Sequence, residues 1–188
     1  MKQKEEETKK RYAMVVELKK CFNCKGCVVA CRAENRVPLP ISRNWIDESG
    51  VRGRYPFLGM TFEPAACNHC EDPPCERVCP TGATFRSPEG IVLVDDRKCV
   101  GCKYCILACP YDARSVNHRD RVIEKCTFCR HRLPEGRTPA CVATCMGHAR
   151  HFGDILDPNS EVSRLLAEKD RFVKKKEAGT RPAFYYVY

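Results

Sequence analysis

The chain has little of what most soluble domains use to build a large apolar core. Only one of its 188 residues is tryptophan, and its longest uninterrupted aliphatic run is 91–94. No stretch approaches the roughly 18 apolar residues of a transmembrane helix, so we expect no membrane span. Neither a signal peptide nor an Arg-Arg pair is evident. Because a nucleotide loop, a catalytic triad and an open metal site are missing too, an enzyme in its own right is disfavoured.

Cysteine, by contrast, is abundant. The sixteen cysteines form four groups of four, each ending in C-x3-C. The groups are Cys21, Cys24, Cys27 and Cys31; Cys67, Cys70, Cys75 and Cys79; Cys99, Cys102, Cys105 and Cys109; and Cys126, Cys129, Cys141 and Cys145. Groups one and three read C-x2-C-x2-C-x3-C, the run of bacterial two-cluster ferredoxins. The pattern predicts four [4Fe-4S] clusters and a function in electron transfer.

Two other uses of cysteine compete with this interpretation. A disulfide scaffold is disfavoured because the closely spaced cysteines of group one could not form separate bridges and no signal peptide is evident. A tetrathiolate zinc site is a better rival for group four alone, where C-x2-C is followed at a distance by C-x3-C. Zinc does not explain groups one and three.

The positive charge of the chain is weak support for a nucleic-acid partner. The formal net charge is +9 with the cysteines counted as neutral. Each cubane with its four thiolates carries about −2 when oxidised and about −3 when reduced, so four clusters would bring the holo-protein close to neutrality. We therefore interpret the basic residues as counter-charge and expect no nucleic acid as a partner. Lys25, Arg77 and Lys103 lie in or beside cluster loops and are candidates for raising reduction potentials.

Strand and helix signals alternate with the cysteine groups. They predict a strand at 12–18, a short helix at 28–35, an irregular segment at 37–55 and a strand at 57–62. A helix is expected at 161–169, and the aromatic segment 184–188 is either a strand docked on the body or a subunit contact. Groups one and three repeat the order strand, cluster loop, helix. The predicted class is α+β, with two ferredoxin-like double-[4Fe-4S] units, short strands, short helices and long loops; the spacing leaves consecutive and nested pairing of the groups open.

The histidines are assigned by their positions relative to these groups. His69 lies inside the second cysteine group and is a candidate hydrogen-bond partner of a cluster or of a quinone-side group. The other histidines are expected at the surface or in caps, namely His118, His131, His148 and His151.

From about residue 12 onward the chain resembles the four-cluster iron–sulfur subunits of molybdopterin oxidoreductases, such as polysulfide, thiosulfate, tetrathionate, arsenate and dimethyl sulfoxide reductases. The segments that carry the resemblance are 67–75 (CNHCEDPPC), 79–83 (CPTGA), 109–114 (CPYDAR), 125–129 (KCTFC), 139–141 (PAC), 152–154 (FGD) and 179–182 (GTRP). These motifs are specific to the type of subunit and much less to the substrate.

The resemblance implies a nested arrangement of the clusters. One cluster would take Cys21, Cys24, Cys27 and Cys145; the next Cys31, Cys126, Cys129 and Cys141; the third Cys67, Cys70, Cys75 and Cys109; and the fourth Cys79, Cys99, Cys102 and Cys105. With this pairing, the predicted organisation is a mobile charged tail at 1–11, an outer unit at 12–66 and 115–157, an inner unit at 67–114, and a C-terminal helix and docking tail at 158–188; the charge of the first residues and the helical spacing near the C-terminus predict the two tails.

The resemblance also implies a non-catalytic subunit that relays electrons between a quinol-binding membrane-anchor subunit and a molybdopterin catalytic subunit. Polysulfide or thiosulfate reductases are the nearest match. The subunit would be attached to the membrane through a partner, either exported with a signal-bearing partner or at the cytoplasmic face. The alternatives are the iron–sulfur subunit of a formate dehydrogenase or hydrogenase, or a free soluble polyferredoxin.

Overall fold

The structure is a computed structural model that describes residues 10–188. Most of the predicted charged tail, 1–11, therefore lies outside the described residues. Arg11 is held in place by the body of the protein. Its guanidinium forms an ion pair with Glu71 at 3.2 Å, and its backbone N–H donates to Oδ1 of Asp154 at 2.9 Å.

The secondary structure consists of many short elements. The strands are β1 Tyr12–Glu17, β2 Asn44–Glu48, β3 Arg52–Arg54, β4 Phe57–Gly59, β5 Phe62–Ala66, β6 Thr84–Arg86, β7 Val92–Val94, β8 Ser115–Asn117, β9 Val122–Glu124, β10 Arg150–Asp154, β11 Arg171–Phe172 and β12 Phe184–Val187. The α-helices are α1 Gly26–Asn35, α2 Pro74–Arg77, α3 Tyr104–Leu107, α4 Ala140–Ala143 and α5 Glu161–Glu168. Short 3-10 helices span Leu18–Lys20, Arg130–Glu135 and Lys176–Ala178.

One four-stranded sheet joins the two ends of the described chain. Its strand order is β10-β1-β12-β11, with β1 antiparallel to β10 and parallel to β12. Val15 is aligned with His151 on one side and with Tyr185 on the other. The segment 184–188 is thus docked on the body as strand β12, as one of its two interpretations predicted.

The remaining strands form two-stranded ladders. Strand β2 pairs with β5, and β3 and β4 form a hairpin between them; β6–β7 and β8–β9 are the other two pairs. The prediction of an irregular segment at 37–55 was therefore wrong. Asn44 begins β2 fully buried, and its side-chain amide donates to the carbonyl of Cys27 at 3.1 Å. This long-range contact holds the segment in place without leaving a local sequence signal.

The apolar core is thin and lies mainly beside the four-stranded sheet. Met14, Val16, Phe184 and Tyr186 pack there together with cysteines of groups one and four. Helix α5 covers the same sheet through Val162, and its N-terminus is capped by the hydroxyl of Ser160, which accepts from the N–H of Ser163 at 3.2 Å. The mixture of short helices and strands fits the predicted α+β class. Within residues 10–188, no helix has both the length and the apolar character needed to cross a membrane.

Candidate metal centres

The cysteine loops of groups one and three are built in the same way. In each loop the residue after the second cysteine has a left-handed backbone and a helix follows: Lys25 (φ 60°) precedes α1 and Lys103 (φ 67°) precedes α3. Since a helix begins one residue before the third cysteine, the fourth is carried away from the other three. The repeated spacing therefore separates the fourth thiol of a group from its first three.

Cysteines from different groups gather at four places, which we call sites A to D. Site A is lined by Cys21, Cys24, Cys27 and Cys145. Site B is lined by Cys31, Cys126, Cys129 and Cys141. In site C, Cys67 and Cys70 pack with Tyr111 and Cys109, and the pKa of the Cys70 thiol responds to Cys67, Cys75 and Cys109. Site D is lined by Cys79, Cys99, Cys102 and Cys105. Group one thus lies beside group four, and group two beside group three.

Shared residues put the four sites in the order A–B–C–D. Arg150 lines both site A and site B. Cys126 of site B also packs against the cluster of side chains that contains Cys67 of site C. Cys75 of site C and Cys105 of site D belong to one buried cluster with Val92 and Ile123. The sites therefore form a continuous row through the described part of the protein.

A single zinc ion bound by group four does not fit this geometry. Cys145 lines site A, whereas Cys126, Cys129 and Cys141 line site B. Among residues 10–188, no three His, Cys, Asp or Glu side chains are arranged to hold one metal ion.

The residues of the sites do fit iron–sulfur clusters. All sixteen cysteines are free thiols, and soft thiolate donors suit such clusters. Backbone N–H groups already donate to several of the sulfurs: Ala149 to Cys145 at 3.2 Å and Thr84 to Cys79 at 3.4 Å. Hydrogen bonds of this kind tune the potentials of bound clusters.

Burial differs along the row. Each end site has one exposed cysteine, Cys24 in site A and Cys102 in site D. In the middle, burial raises the pKa of the thiols of Cys31 and Cys70 to about 12 and that of Cys75 to about 11. Such thiols are protonated at neutral pH in the absence of metal, so binding iron must displace their protons.

Three basic residues that sequence reasoning did not single out lie buried along the row. Arg114, Lys125 and Arg150 are only 3–4% exposed. Burial lowers the pKa of Arg114, but negative charge on Cys75 and Cys67 raises it by more, so its pKa lies above the ordinary value. Burial also lowers the pKa of Lys125, against the opposing effect of Cys67. A signal was present for two of them, because C-x3-A-R occurs at both 109–114 and 145–150.

The basic residues named as candidates from the sequence lie elsewhere. Lys25, Arg77 and Lys103 are exposed, and Nζ of Lys25 forms an ion pair with Glu48 at 2.8 Å. Charges on an exposed side chain are screened by water, and their effect on a cluster is correspondingly weak.

Two histidines have buried positions. His69 is 0% exposed and stacks on Phe128 with ring centroids 3.7 Å apart; its Nδ1 accepts from the N–H of Val92 at 3.1 Å. Burial lowers the pKa of His69 well below its ordinary value, so the ring is neutral, and its Nε2 has no partner among residues 10–188. The prediction for His151 was wrong, because it is buried between Glu17 and Glu161 at 2.8 Å from each.

Comparison with known proteins places this chain in a family. Models described as a 4Fe-4S dicluster domain match residues 20–83 and 58–155. A tetrathionate reductase subunit of Salmonella typhimurium is 45% identical, over 94% of this chain and 72% of that protein. Protein NrfC of Escherichia coli is 44% identical, over 94% and 80%. A selenate reductase subunit of Mesobacillus selenatarsenatis is 38% identical, over 94% and 72%. The prediction of four [4Fe-4S] clusters is confirmed.

Proposed function

The chain belongs to the family of four-cluster iron–sulfur subunits of molybdopterin oxidoreductases, and we propose that it links a quinol-binding membrane anchor to a molybdopterin catalytic subunit. It is an electron-transfer subunit, and no catalytic group is assigned to it. In the proposed complex the enzyme is an anaerobic respiratory reductase of a sulfur compound or an oxyanion. The names of the relatives, which include tetrathionate and selenate reductases, support this substrate class. Polysulfide and thiosulfate also belong to this substrate class.

We further propose that sites A to D are the four ligand sets. The support is that each site gathers cysteines from two groups, three from one and the fourth from its partner. A [4Fe-4S] cluster held by four thiolates accepts or gives up one electron at a time, so its charge changes by one unit. The protein would hold these clusters in a fixed row, exclude water from the middle, and donate backbone hydrogen bonds to the thiolates.

The observation that carries the proposal is that the row reaches the surface at both ends. Near site A the exposed apolar side chains are Phe22 and Met146, and near site D they include Tyr104 and Leu107, which is 83% exposed. An apolar surface beside an accessible cluster site is suited to a partner that must approach closely. Two such surfaces, one at each end, support two partners. Association with the membrane would then occur through the anchor partner, on whichever face of the membrane it works.

The test is a metal and subunit analysis of the native complex. The chain would carry an affinity tag at its chromosomal locus, and the complex would be purified without oxygen in mild detergent. We expect about 16 irons per chain, with molybdenum or tungsten, a large catalytic subunit and a membrane subunit.

The other outcomes each contradict a part of the proposal. Nickel in place of molybdenum would assign the chain to a hydrogenase. Formate oxidation by the purified complex would assign it to a formate dehydrogenase. Full iron content in a chain that purifies alone would indicate a free polyferredoxin.

A further inference from the structure

Each junction between neighbouring sites contains a buried cation. Arg150 lines sites A and B, and its Nη1 lies 4.0 Å from Sγ of Cys141. Arg114 stands between sites C and D: Nη2 donates to Sγ of Cys75 at 2.9 Å, and Nη1 donates to Oγ1 of Thr84 at 3.1 Å. Thr84 itself lines site D.

Lys125 occupies the middle junction. Its Nζ donates to the carbonyl of Cys126, a residue of site B, at 2.5 Å and to the carbonyl of Val92, which packs beside Cys75 of site C. The thiols of Cys67, Cys126 and Cys75 all act on the pKa of Lys125, so it stands close to both sites.

These three cations have no acidic partner among residues 10–188, and Nε and Nη2 of Arg150 have no hydrogen-bond partner there at all. A buried charge is costly unless something opposite compensates for it. Arg43 shows the contrast, because it also lines site B but its guanidinium is paired with Glu124 at 2.5 Å. Within the described part of the chain, the opposite charges that face all three unpaired cations are those of the cysteine sites.

We propose that Arg150, Lys125 and Arg114 act as junction cations, each raising the reduction potentials of the two clusters on either side of it. The proposal rests on the ligand sets of the proposed function. A positive charge close to a cluster favours its reduced, more negative form, and the low dielectric of the interior preserves the effect. Because each cation borders two sites, its influence falls on a neighbouring pair.

The test is a set of EPR-monitored redox titrations on the anaerobic holo-protein. The variants are Arg150→Gln, Lys125→Gln and Arg114→Gln, with Arg77→Gln as control because Arg77 lies within a cysteine group but is exposed. In each junction variant we expect two of the four midpoint potentials to fall, each by at least a tenfold change in the one-electron equilibrium, about 59 mV. The control should leave all four unchanged.

The overlap between variants makes the test specific. Lys125→Gln should share one shifted cluster with Arg150→Gln and the other with Arg114→Gln, while the two arginine variants share none. Unchanged potentials, or a uniform shift of all four, would overturn the proposal. With full iron content such a result would leave the proposed function intact, whereas a wild-type chain with fewer than four clusters would contradict the proposed function itself.

If a glutamine variant loses iron, variants that conserve the charge still test the proposal. Arg114→Lys and Arg150→Lys keep the charge but lose the planar hydrogen-bonding group. We expect both to keep full iron and potentials close to wild type. A fall in potential, or a loss of iron, as large as that of the glutamine variant would overturn the role of the charge.

Discussion

The two end sites and the two middle sites contain the same number of cysteines but lie in different surroundings. Sites A and D each have an exposed cysteine, Cys24 and Cys102, whereas site B lies beside the four-stranded sheet and is lined by the buried Cys129 and Cys141. Burial favours a constant environment and excludes water, while exposure permits a partner to approach. The difference supports the proposal that the ends of the row exchange electrons with other subunits and that the middle conducts between them.

Replacing one cysteine in the middle and one at an end should give the largest contrast. In Cys141→Ser, the hydroxyl is a poor substitute for the thiolate, and water has little access to site B, so we expect loss of its cluster, about four irons. In Cys24→Ser, water or the serine oxygen can reach the exposed position, so most of the iron should remain. Iron analysis and EPR of both variants measure this, and equal losses would remove the distinction between middle and end.

Charged substitutions on the apolar surfaces at the ends should each remove one partner. Leu107→Glu near site D and Met146→Glu near site A introduce a charge that a close apolar interface would have to desolvate. We expect each variant to keep its full iron content. Each should purify without one subunit of the complex, and the missing subunit should differ between the two variants. Leu156→Glu is the control, since Leu156 is also exposed but lines none of the sites described. Loss of the same subunit from both variants would contradict a row with a partner at each end.

Iron should leave the ends before the middle. With a chelator and a mild oxidant, clusters bound at the proposed sites A and D would be accessible through Cys24 and Cys102, so we expect a fast phase that releases about half of the iron. The second phase must await opening of the structure around sites B and C. Absorbance at visible wavelengths and iron release followed together measure the two phases, and a single phase would show that exposure does not control stability.

The smallest effect is expected for the loss of a charged side chain, Glu17, from the four-stranded sheet. Burial raises the pKa of Glu17, but hydrogen bonds from Lys169, Lys20 and His151 outweigh it, and the pKa falls from 4.5 to about 2. The stabilisation is therefore complete above about pH 4.5 and is lost as the pH falls toward 2. Glu17→Gln should cost about 2 kcal/mol, equally at pH 7 and pH 5.5, as measured by urea unfolding.

Glu48→Gln is the matched variant for this prediction. Glu48 binds Lys25 and Asn23 at an exposed position, where water screens the interaction. We expect a smaller loss of stability than in Glu17→Gln. A loss in Glu48→Gln as large as that in Glu17→Gln would contradict the prediction.

The parts of the molecule with a local signal could be predicted from the sequence. Cysteine spacing alone predicted four clusters, because the ligands of a cubane must recur at short, fixed intervals. Strand β1 and helix α5 were predicted nearly to their ends, since their apolar residues follow the periods of a strand and a helix.

The parts of the molecule that depend on contacts between distant residues could not be predicted from the sequence. Which group lies beside which is decided by the sheet, where Val16 of β1 is aligned with Arg150 of β10. Strand β2 is held in place by a hydrogen bond from the Asn44 side chain to the backbone of Cys27. No periodicity in the sequence predicts this strand. The junction cations were missed because a basic residue is usually exposed, and only the fold reveals that Arg114 contacts a cysteine sulfur.

The most direct test of the account is the position of the iron. Crystals of the holo-protein grown without oxygen, with anomalous diffraction recorded on both sides of the iron absorption edge, locate iron independently of any assignment of ligands. We predict four separate four-iron peaks, one in each of sites A to D, in the order A–B–C–D. A peak bound by the four cysteines of a single group, such as Cys126, Cys129, Cys141 and Cys145, or a site that holds a single atom, would contradict the account.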